Sequence, residues 1–139
     1  MDNNIRALII ASENASGQPT GPNTIGTFIT NPSLVFRTPF IPTAMSMSVT
    51  IITSGIKANE NYKFKIDIVN NQTGTRIYTT GDNDLNLPND MDNFMFNLDL
   101  KNLEFMNAGT YNIEFMINQT IFNQEFEVKS NKILNFTEE

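Results

Sequence analysis

The sequence predicts an all-β fold, an antiparallel β-sandwich of roughly seven to nine strands. Three observations carry this reading. Apolar residues alternate with polar ones at side-chain period two, as in Tyr62, Phe64, Ile66 and Ile68 set between Lys63, Lys65 and Asp67. The alternating runs are short and are separated by clusters of Asn, Asp, Gly and Pro, the residues that make turns. No segment sustains apolar spacing at i, i+3, i+4 and i+7 behind an N-cap, so no helix competes.

The elements follow in chain order. Ile5 to Ala11 has β-branched and aliphatic residues on both faces and reads as a strand covered on both sides or at an interface. Ala15 to Asn23, rich in Gly, Pro and Ser, reads as a linker. Thr24 to Thr30 is a second strand, with Gly26 at a bulge or a close approach. Pro32, Pro39 and Pro42 lack a ladder donor, so the stretch around Leu34, Val35 and Phe36 is an edge strand or an extended crossover. Met45, Met47, Val49 and Ile51 alternate with Ser46, Ser48 and Thr50 as a half-buried strand. After a polar loop from Ser54 to Asn61 comes the strand Tyr62 to Ile68. The Asn70 to Gly74 turn returns the chain into a strand from Thr75 to Thr80, with Gly74 suited to a positive φ.

Gly81 to Asp92 reads as a polar loop, and Phe94, Phe96, Leu98 and Leu100 resume the alternation. Leu103 and Phe105 are expected to pack beneath the loop leading to Gly109. The clearest hairpin is the last. Gly109 opens a strand through Tyr111, Ile113, Phe115 and Ile117, Asn118 and Gln119 turn it, and Ile121 to Val128 runs back. One domain spans residues 1–139, with its core in 5–129 and a loosely ordered tail over 130–139 that has lost the alternation.

Composition narrows the function. The chain has 139 residues with no His, no Cys and no Trp, and a net charge of −6. Without Cys there is no disulfide framework and no thiolate for catalysis or zinc. An acidic chain without a basic face disfavours nucleic acid. No run of apolar residues is long enough to span a membrane, and Met1 to Arg6 lacks the start of a secretory signal, so the expected location is the cytoplasm. Asn is about one residue in seven, which reads as the codon bias of an AT-rich genome.

The order Ala7-Leu8-Ile9-Ile10, Ile25-Gly26-Thr27-Phe28 and Gly109-Thr110-Tyr111, with the Pro-rich stretch after Phe36, resembles a family of small bacterial and phage proteins of unknown function. The resemblance covers residues 5–128 and implies an immunoglobulin-like sandwich with no activity attached. Gly109-Thr110-Tyr111 also resembles the immunoglobulin tyrosine corner, in which the Tyr hydroxyl ties back to nearby backbone. The Cys that would follow in antibody domains is Ile113 here, which removes the inter-sheet disulfide.

Candidate chemistry is sparse. Asp82, Asp84 and Asn86 have the spacing of calcium-loop ligands, but the sixth position is Leu87 and the twelfth is Asn93, where Gly and a bidentate Glu are needed. Asp67, Asp99, Glu114, Glu125 and Glu127 occupy the polar positions of strands, where exposure predicts ordinary titration rather than acid–base work. No Ser or Thr has a His to activate it, so catalysis is not expected. A sugar platform rests on Tyr78 alone. Ile52, Val69, Met95 and Met116 break the alternation on otherwise polar faces, and together they form the candidate interaction patch.

These readings converge on a non-catalytic protein-interaction module of a bacterium or phage, with no cofactor and no metal. Its partner is expected to be another protein or a second copy, the latter as a homodimer. A module that binds carbohydrate or, weakly, calcium is the alternative, and a small hydrolase lacking His and Cys is third.

Overall fold

In a computed structural model describing residues 4–22 and 24–132, ten strands are seen. They are β1 (Arg6–Gly21), β2 (Thr24–Pro32), β3 (Val35–Thr38), β4 (Thr43–Ser54), β5 (Tyr62–Asn70), β6 (Arg76–Thr79), β7 (Asn83–Leu85), β8 (Phe94–Phe105), β9 (Gly109–Ile117) and β10 (Thr120–Ser130). They form a four-stranded sheet in the order β2-β1-β4-β8 and a six-stranded sheet in the order β3-β10-β9-β5-β6, with β7 also on β5. Pairing is antiparallel except that β3 runs parallel to β10. Among the described residues no helix is long and apolar enough to cross a membrane. The tail expected beyond residue 130 lies mostly outside the described residues.

The two sheets pack through the inward half of each alternation. Ile9, Ile51 and Phe96 stand in register across the smaller sheet, and Ile66 and Phe115 across the larger one. Rings cross the gap between sheets: Phe96 meets Phe64 at 4.7 Å and Phe115 at 5.1 Å, and Phe105 meets Tyr111 at 5.1 Å. Phe115, Ile113 and Ile117 are fully buried, as their period-two placement predicts, while Phe64 is only half-buried. Truncating a ring buried this completely typically costs about 3–5 kcal/mol.

Local chemistry explains the turns. Asn70 Oδ1 accepts the backbone N–H groups of Gln72 and Thr73, and Gly74 takes a φ of 74°, so the β5–β6 turn has the expected chemistry. Asn118 sits at a φ of 50° between β9 and β10, and its side-chain oxygen accepts the N–H of Lys63 on the next strand. Gly26 is a close approach: a Cβ there would lie 2.8 Å from the Thr20 methyl.

Four expectations need correction. The segment from Ala15, read as a linker, belongs to a strand: β1 runs to Gly21 and pairs with β2 from Ser12↔Pro32 to Gly21↔Thr24. A stretch poor in apolar residues becomes regular here because a hairpin partner satisfies its backbone, which composition does not report. Of the two alternatives for the first strand, cover on both faces within the chain is the one that fails, since Leu8 is 56% exposed, and the interface alternative stands. Leu103 and Phe105 do not sit beneath a loop but continue β8 through an irregularity. There Met45↔Leu103 follows Met47↔Leu100, and Asn102 adopts a φ of 55°. The extra residue shifts the inward set from even to odd positions and returns both side chains to the core. Last, Asn83 to Leu85 is not loop but pairs with Tyr62 to Phe64, which raises the number of strands.

Candidate functional site

The outer face of the four-stranded sheet is built by the residues that alternate with its core. Leu8, Ile52 and Met95 are direct neighbours across β1, β4 and β8. Leu8 and Met95 are exposed and Ile52 is half-buried between them. The next rows are Ile10, Thr50 and Asn97, then Ser12, Ser48 and Asp99. Thr50, Ser48 and Ser12 are buried although they alternate with the core positions of their strands. Ser48 Oγ lies 3.5 Å from Asp99 Oδ1, and Asp99 also pairs with Lys101 at 3.2 Å. An apolar row thus crosses one end of this face, and polar groups fill the middle.

The outer face of the six-stranded sheet is different in character. Met116 stands between Lys65 and Ile121, and Val69 between Arg76 and Asn112. Around them runs a polar network in which Asn112 Nδ2 donates to Asn123 Oδ1 at 2.8 Å and Asn71 Nδ2 donates to Glu125 Oε2 at 3.0 Å. Asp67, expected on an exposed face, is only 3% exposed. Its neighbours on the adjoining strands are Thr79 and Glu114, and its Oδ2 meets Arg76 Nε at 3.3 Å and Lys65 Nζ at 3.8 Å. The Arg76 contact ties Asp67 on β5 to the neighbouring strand β6 and so anchors this hairpin.

The four residues of the candidate patch therefore do not share one surface. Ile52 and Met95 lie together on the smaller sheet, whereas Val69 and Met116 lie on the larger one. Alternation shows that a residue points outward but not which of two sheets carries its strand, and β4 and β8 part from β5 and β9 only through the crossovers. Leu8 joins Ile52 and Met95. The doubly apolar first strand already marks Leu8 and Ile10 as a face in need of cover or an interface.

The acidic loop does not converge on one point. Asp84 pairs with Lys63 at 2.6 Å, Asp90 Oδ1 accepts the N–H of Ala58 at 3.1 Å, and Leu87 is buried in the core. The Asp84 contact pushes the Lys63 pKa up, first through the hydrogen bond and then through charge. Among the described residues no group of three His, Cys, Asp or Glu side chains is placed to hold a metal ion. Tyr78, the candidate sugar platform, is half-buried and packs against the core. A scan against protein-family models and a search of curated proteins find no match for this chain.

Proposed function

We propose that this chain is a non-catalytic protein-interaction module on an immunoglobulin-like sandwich, acting in the cytoplasm of a bacterium or its phage. The observation that carries the reading is the row of Leu8, Ile52 and Met95, three large apolar side chains in register on one outer face. An exposed apolar row of this kind favours contact with another protein, and Met gives it an adaptable surface. The immunoglobulin-like assignment is supported by β3 running parallel beside the last strand and by the Tyr111 hydroxyl reaching back to the Asn107 carbonyl.

The test is a comparison of proteins captured by the wild type and by a Leu8→Glu, Met95→Glu double variant whose circular dichroism and melting are unchanged. A specific partner retained by the wild type and lost by the variant is expected. The same partners on both would overturn the assignment of this face.

A further inference from the structure

We propose that two copies of this chain join edge to edge through β2, antiparallel about a two-fold axis near Phe28. The starting point is the arm. β1 pairs with β4 only over Arg6 to Ser12, and from Asn14 to Gly21 its partner is β2. Eight residues of strand extend about 26 Å. Among the described strands β2 pairs with β1 alone, so the outer side of this two-stranded ribbon is an open edge. A ribbon of two strands is marginal in water by itself.

The arm has a register irregularity at Pro19/Gly21 on β1 and Pro32 at the end of β2, but along its edge it lacks the protection that charge gives. Free edges are normally kept from pairing by charged residues, inward turns or bulges. The other strands at sheet borders carry charge: Arg37 on β3, Arg76 on β6, Asp84 on β7, and Asp99, Lys101 and Glu104 on β8. β2 carries none. The uncharged stretch is long, since no Asp, Glu, Lys or Arg occurs between Glu13 and Arg37. Phe28 lies at the middle of β2 and is 49% exposed.

Charge selects the partner. The chain carries −6, so a cationic partner would be drawn to its carboxylates, none of which lies on the arm. Two copies of an acidic chain repel each other through their carboxylates, and along this stretch they can meet without like charges opposed. Charges separated by more than about 8–10 Å are then screened by salt. The edge is also self-complementary. A two-fold axis at Phe28 sets that ring against its own counterpart and Thr27 against the counterpart of Ile29, aromatic and β-branched pairs of the kind that stabilise antiparallel ladders. Pro32, which has no N–H, ends the pairing at one border of the strand.

The experiment is light scattering coupled to size exclusion from micromolar to several hundred micromolar protein, with Phe28→Lys and Thr27→Lys beside the wild type. A wild-type mass rising to twice 15.7 kDa is expected, with both variants held at 15.7 kDa and circular dichroism unchanged. The chain has no Cys, so a Phe28→Cys variant should also cross-link to itself on mild oxidation while a Met91→Cys control does not. A wild type that stays at 15.7 kDa throughout overturns the proposal, as does a dimer that survives Phe28→Lys. A dimer broken by Leu8→Glu and not by Phe28→Lys also overturns it and moves the contact to the sheet face. The interaction reading of the Leu8 row is separate and survives a monomeric result.

Discussion

The Tyr111 hydroxyl donates to the Asn107 carbonyl oxygen at 2.5 Å, while its ring stacks on Phe126 and meets Phe105 edge-on. Burial raises the Tyr111 pKa, the Asn70 side chain offsets part of the rise, and the bond donated to the Asn107 carbonyl can be made only by the protonated hydroxyl. The folded value therefore lies above the unfolded value of about 10. Below that pH the contribution to stability is complete. As pH rises through it, the unfolded chain loses the proton first and stability falls until the folded hydroxyl ionises too. Tyr111→Phe keeps the ring and removes the hydroxyl. It is expected to cost about 1 kcal/mol at neutral pH, since Asn107 is exposed and water can replace the lost donor. Urea unfolding from pH 8 to 11 would check both parts, because the variant should show a shallower alkaline decline than the wild type. Asp67 shows the same point at this scale. Its identity as a polar strand residue was plain in the sequence, but its burial depends on Arg76 and Lys65 closing over it.

At the scale of the strand, β8 stays useful to the core only because of its irregularity. Asn102 takes a φ of 55°, and its N–H donates to Ser46 Oγ at 3.1 Å. Asn tolerates the left-handed region and a β-branched residue does not, so Asn102→Val is expected to lose about 1–2 kcal/mol. Asn102→Gly should be close to neutral. The midpoint of urea unfolding should fall for the first and hold for the second, with the slope unchanged in both. Strands whose apolar residues keep one parity, such as Tyr62 to Ile68 and Tyr111 to Ile117, were legible at once, because burial of one face is what alternation records. β8 was legible only to Leu100, since a bulge reverses parity and looks like the end of a strand. The second half of β1 left no apolar trace, because it contributes nothing to the core and owes its conformation to β2. The candidate patch failed for a related reason: outward direction is written locally, but sheet membership is set by crossovers far along the chain.

On the scale of the whole molecule, the arm and the sandwich are separable in energy. The buried cluster draws on Ile9 and Ala11 and then resumes at Phe36, and among the residues whose side chains are described none of its apolar members comes from residues 13–35. Hydrophobic burial is the dominant favourable contribution to folding, so a segment outside the cluster adds little to the stability of what lies within it. The geometry also permits removal, since Ser12 and Pro32 are cross-strand partners at the base of the arm. Replacing residues 14–30 by a two-residue Asn-Gly turn would close the hairpin near that pair. The shortened chain is expected to melt within a few degrees of the wild type when both are measured dilute enough to be monomeric. At high concentration the wild type should gain stability and the shortened chain should not, because association stabilises only the form that can associate. Loss of a cooperative transition on shortening would show that the arm is part of the folding unit. A concentration-dependent rise in melting temperature that persists without the arm would place self-association elsewhere on the molecule.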